Sequence, residues 1–80
     1  MISEHMFYRF LSSKRKTSIV NVTSKYDGSF LGQIIWSCGW RQYVFEPASS
    51  TKFSWDCLLE LSNNIKIMNE TYKENREVKK

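Results

Sequence analysis

Hydrophobic and polar positions alternate with a period of two through the first half of the chain. After Ser54 the period changes to three and four. The first pattern marks half-buried strands and the second an amphipathic helix. Thr17 to Ser24 carries Thr17, Ile19, Val20, Val22 and Thr23, all β-branched, and reads as a strand. Phe30 to Ser37 reads as its hairpin partner, because Asp27-Gly28 lies between the two runs and both residues tolerate positive φ. Cys38-Gly39 is then expected to make a tight turn into a third strand, Trp40 to Glu46. Pro47 ends that strand, since it cannot donate to a ladder. Met6 to Leu11 is short and aromatic and reads as a further edge strand, followed by a polar turn over 12–16. Met1 to His5 is expected to fray.

Beyond the 48–52 loop, Ser54 stands where a helix N-cap belongs, with Asp56 placed to complement the helix dipole. Leu58, Leu61, Ile65 and Met68 recur at three- and four-residue spacings and predict one apolar face, with Cys57 beside it and Asn63-Asn64 off it. The fold class that follows is α+β: a three- or four-stranded antiparallel β-meander with one C-terminal α-helix packed on the sheet. The 80 residues make a single domain with an ordered core over about 6–68, and 69–80 form a charged tail or a helix end.

The aromatic residues concentrate in one hairpin. Ile34 to Pro47 reads I-x-W-x-x-x-W-R-x-Y-x-F-x-P. Gly32, Ile34 and Trp36 share a strand face, and Arg41, Tyr43 and Phe45 share one on the next strand. Gly32 leaves a gap across which an aromatic ring can lie. So dense an aromatic surface is either the core of a very small protein or a binding platform.

With Leu31 and Gly32 before them, and Phe53 and Cys57-Leu58 after, these residues resemble a group of short uncharacterised proteins from phages, prophages and bacteria. Their pattern is L-G-x-I-x-W, then W-R-x-Y-x-F-x-P, then a helix starting near C-L. The likeness covers Lys16 to about Met68. It implies a small β-meander plus helix in a phage or mobile-element setting, and it carries no residue roles. Ser37-Cys38-Gly39 departs from the group's turn, which reads more like Tyr-Gly-Pro.

The inventory of reactive groups is thin. His5 is the only histidine and falls in the segment expected to fray, so no Cys–His nucleophile is available in the folded part. Arg41 near Cys38 would favour its thiolate, but no base accompanies it. Two cysteines and one distant histidine do not make a zinc site. Three glycines provide no phosphate-cradling loop. The expectation is a protein with no catalytic residues, no metal and no cofactor. Cys38 and Cys57 are expected as reduced thiols. No signal-peptide pattern and no apolar run of membrane-spanning length is present, so the expected location is the cytoplasm, or the host cytoplasm if the protein is viral.

The net charge of +4 is partly clustered at Lys14, Arg15 and Lys16. Two binding functions follow. In the favoured one, the protein contacts a protein partner of unknown identity, with Trp40, Arg41, Tyr43 and the basic triplet as contact residues. Inhibition of a host or defence protein would suit the phage setting. In the alternative, Lys14, Arg15 and Lys16 supply phosphate contacts for a sheet-based DNA-binding or regulatory module. A homodimer through an open sheet edge or face is an arrangement such a fold allows.

Overall fold

The structure is a computed structural model that describes residues 3–11 and 17–78, with side chains described as far as Glu74. Four strands run in chain order: β1 (Met6–Leu11), β2 (Ile19–Ser24), β3 (Phe30–Ser37) and β4 (Gln42–Pro47). They form one antiparallel sheet in the order β1-β2-β3-β4. Among the described residues a single helix, α1 (Trp55–Val78), crosses one face and lies closest to β4. The α+β meander expected from the sequence is therefore the fold, with four strands. Among the described residues, no helix is long and apolar enough to cross a membrane.

Both hairpin loops are wider than the two-residue turns expected. Four residues, Lys25 to Gly28, separate β2 from the Ser29 turn exit, and the Gly28 N–H donates to the Ser24 carbonyl at 3.0 Å. The next loop repeats this scheme: the Arg41 N–H donates to the Ser37 carbonyl at 2.7 Å. In each loop the fourth residue is left-handed, Gly28 at φ 74° and Arg41 at φ 54°. Arg41 therefore belongs to the turn and not to a strand, and it carries a conformation that glycine would adopt without strain.

The register assigns the faces. Val20 pairs with Ile34, Ile34 with Phe45, and Trp36 with Tyr43. These residues, with Met6 and Val22, face α1. Among the described residues, the buried apolar side chains are Met6, Val20, Val22, Ile34, Tyr43, Leu61 and Met68. Gly32 lies among them, and the Phe45 ring crosses it and meets Phe53 edge-on at 5.5 Å between centroids.

The helix turns inward most of the face expected, with Leu58 left out of it and Asn64 added. Leu61 and Met68 are buried and Ile65 partly so, but Leu58 is 50% exposed. Asn64, expected off the face, is fully buried. The inward stripe is Cys57, Glu60, Leu61, Asn64, Ile65, Met68 and Tyr72, a regular three- and four-residue series with two polar members. Trp55, Leu58 and Leu59 are left on the exposed side.

Among the described residues, no helix lies on the opposite face of the sheet, and its side chains lie in rows across the strands. Leu11 pairs with Ile19, and Ile35 with Val44. Continuing the β2–β3 register one step from Val20↔Ile34 sets Ile19 against Ile35. The result is one apolar row over all four strands. The next row is polar: Arg9 pairs with Asn21, Asn21 with Gln33, and Gln33 with Glu46. Gln33 donates to Asn21 at 2.7 Å within it.

Candidate functional site

Among the described residues, two places gather functional groups. The first is the corner where the chain enters β1 over the start of α1. Ser3 to His5, expected to fray, is tied down there. The Glu4 and His5 N–H groups donate to Glu60 Oε1 at 3.0 and 2.8 Å, and the Tyr8 hydroxyl donates to Glu60 Oε2 at 2.8 Å. Lys25 Nζ donates to the Ser3 carbonyl. His5 Nε2 stands 3.6 Å from an Asp56 carboxylate oxygen.

Glu4, His5 and Glu60 thus each bring a potential ligand atom within 4.8 Å of the others. The hydrogen bonds already account for both Glu60 oxygens, so this corner reads as a clamp that holds the N-terminal segment on the helix. Asp56 accepts from the Ser54 hydroxyl and the Cys57 N–H. The Ser54 bond, foremost, holds its carboxyl below the usual range.

Burial, and then the Glu60 carboxylate beside it, push the Tyr8 hydroxyl well above its ordinary value of 10.0. The sign of the consequence is fixed by linkage. The folded chain keeps a proton that the unfolded chain gives up, so this stabilisation is complete below a pH of about 10 and is lost as the pH rises further. Tyr8→Phe is expected to cost about 1–3 kcal/mol at neutral pH, because Glu60 Oε2 loses a donor. The gap between variant and wild type should then narrow above a pH of about 10. Urea midpoints for both proteins across that range check it; a gap independent of pH would refute the coupling.

The second place is the far end of the sheet, where the β3–β4 turn meets the last described turns of α1. Trp36, Arg41, Gln42, Asn69, Tyr72 and Lys73 line an open cleft of about 430 Å³. Its floor is aromatic. Trp36 and Tyr72 lie 4.5 Å apart, and Tyr43 meets Trp36 edge-on at 5.4 Å. Arg41 and Lys73, both exposed, put two cations on the walls. Trp40 projects from the adjoining turn, 74% exposed.

Asn69 fixes the geometry: its Oδ1 accepts from the Tyr43 N–H at 2.6 Å and its Nδ2 donates to the Tyr43 carbonyl at 3.4 Å. That pair of bonds also occupies the outward backbone groups of an edge strand, which would otherwise template pairing with another chain.

The residues picked out from sequence divide accordingly. Arg41 lines the cleft, and Trp40 precedes it in the exposed turn. Tyr43 does not join them as a contact residue: it is 5% exposed, and its hydroxyl accepts from the Ser18 N–H at 3.0 Å. Its aromatic ring packs the core and supports Trp36 from behind. Lys14, Arg15 and Lys16 lie outside the described residues. Cys38 is exposed and Cys57 half-buried, both as free thiols. Tyr72, Lys73 and Asn69 do not stand out in the sequence, although Tyr72 continues the inward stripe at the four-residue step from Met68. No protein-family model, curated protein or solved structure matches the chain.

Proposed function

We propose that the chain is a small non-enzymatic binding protein that acts by contact with a protein partner, using the cleft at the β3–β4 turn. The observation that carries this reading is the pairing of an aromatic floor, Trp36 and Tyr72, with the cations Arg41 and Lys73, beside a turn that exposes Trp40. A side chain combining a carboxylate with apolar surface, or an acidic segment carrying an aromatic residue, matches that chemistry. Exposed Trp and Arg side by side are the residue types that carry most binding energy at protein interfaces. A left-handed Arg where glycine would relieve strain is a further mark of a position kept for its side chain. The phage or mobile-element setting implied by the sequence resemblance suits a protein that occupies a surface of a host or defence protein in the cytoplasm.

The test is capture from nuclease-treated bacterial extract with the tagged chain, in parallel with Trp40→Ala and Arg41→Gly. Arg41→Gly removes the guanidinium while keeping the left-handed turn. A stoichiometric protein should be retained by the wild type, and either variant should weaken it by about tenfold or more. The DNA-binding alternative gives a different result. Retention would then vanish with nuclease and fall steeply with salt, and replacing Lys14, Arg15 and Lys16 with Ala would lower the salt slope by up to about three.

A further inference from the structure

We infer that the helix-free face of the sheet is a homodimer interface, in which a second copy packs face to face about a two-fold axis running along the strands between β2 and β3. The inference rests on the order of residues in the two rows. In the polar row Arg9 stands at one edge of the sheet and Glu46 at the other, with Asn21 and Gln33 between them. Three strand spacings separate the two charges by about 14 Å, too far to pair within one copy. Neither is in an ion pair with another described residue.

A two-fold axis along the strands exchanges β1 with β4 and β2 with β3 while leaving the position along the strands unchanged. It therefore sets Arg9 of each copy over Glu46 of the other, and Asn21 over Gln33. The same operation lays the apolar row on itself, Leu11 over Val44 and Ile19 over Ile35. Both rows are their own complements under this one rotation, which is what an isologous interface demands. Sheets stacked with their strands nearly aligned are a common packing, and the sheet twist absorbs the small angle between them.

The arrangement is selective. A two-fold axis across the strands would set each strand over its own copy, so Arg9 on β1 would never meet Glu46 on β4. The half-buried state of Leu11, Ile19, Ile35 and Val44 in the single chain leaves apolar surface that a second copy would cover.

The face also sets the strength. Four strands at about 4.8 Å and six residues at about 3.4 Å give a footprint of roughly 19 by 20 Å. Covering it on both copies removes on the order of 1,000 Å² from water, at the small end for a specific interface. A dimer dissociating at micromolar concentration is expected.

Sedimentation velocity of the full chain from low to high micromolar concentration tests the assembly, and charge reversal tests its geometry. Arg9→Glu and Glu46→Arg each set like charges across the interface and should weaken the dimer by about tenfold or more. The double variant restores both cross-pairs and should return to within about threefold of wild type. Ile35→Lys places a charge at the centre of the apolar row and should leave monomer only. Far-UV circular dichroism confirms folding of each variant; should Ile35→Lys fail to fold, the two exposed edge charges decide alone. Three results would overturn the inference: a monomer at every concentration, a double variant no better than the single ones, or a folded Ile35→Lys variant that still dimerises.

Discussion

Gly32→Ala is expected to be the most damaging single substitution in the sheet. Gly32 sits at φ +149°, a conformation that L side chains rarely adopt. A Cβ built there would lie 2.7 Å from the tip of the Phe45 ring and 2.9 Å from the Pro47 Cα, and it would also press on the Glu46 carbonyl oxygen. The Phe45 ring could move, but the other two neighbours are backbone of the paired strand, so relief means separating β3 from β4. Backbone strain of about 1–3 kcal/mol adds to overpacking of about 1–3 kcal/mol, for a total of about 2–6 kcal/mol. A chain of this length has a total stability of roughly 4–12 kcal/mol. Thermal unfolding followed by circular dichroism should fall by about 10 °C or more. A fall of less than about 3 °C would show that the sheet opens easily at this point.

That close approach is partly legible in the amino-acid pattern alone. A glycine inside a β-patterned run, followed by an aromatic-rich partner, announces a ring lying over backbone. The strands are legible for a related reason: Ile19, Val20 and Val22 are β-branched, and the alternation of Ile34, Trp36, Tyr43 and Phe45 needs only one register to put all four inward.

The loops are not legible in the same way. Asp27-Gly28 and Cys38-Gly39 resemble two-residue turns, whereas both connections close over four residues and end left-handed. In the second it is Arg41, not Gly39, that takes positive φ. Local sequence does not show which residue must reverse the chain, because the cross-strand register decides it. The candidate cleft inherits that gap: Trp40 and Arg41 stand out as residue types, while their partners Tyr72 and Lys73 come from a helix whose reach over the sheet depends on packing. The clamp on Ser3 to His5 is hidden more deeply. Nothing in the hydropathy of Glu60 shows that its carboxylate will be 5% exposed and hydrogen-bonded to a segment some 55 residues earlier.

The helix face gives the second large effect, as a contrast between two leucines. Leu61→Ala should cost about 2–5 kcal/mol, whereas Leu58→Ala should stay within about 0.5 kcal/mol. Both residues fit an apolar period read from Leu58 through Met68, and hydropathy ranks them equally. The structure separates them: Leu61 is 3% exposed and Leu58 50%. The rotation that buries Leu61 is fixed by polar side chains.

Glu60 must face the N-terminal segment and Tyr8, and Asn69 must face the β4 backbone. Leu61 adjoins Glu60, whereas Leu58 lies about 160° from Glu60 around the helix axis, so turning the helix to bury Leu58 would pull Glu60 away from the N-terminal segment and Tyr8. Each group left unpaired would cost about 1–3 kcal/mol, and one more half-buried leucine would return about as much as one such loss. Urea midpoints for the two alanine variants settle the helix orientation. Equal losses at Leu58 and Leu61 would mean that the apolar period, and not the hydrogen bonds of Glu60, sets the face of α1 turned to the sheet.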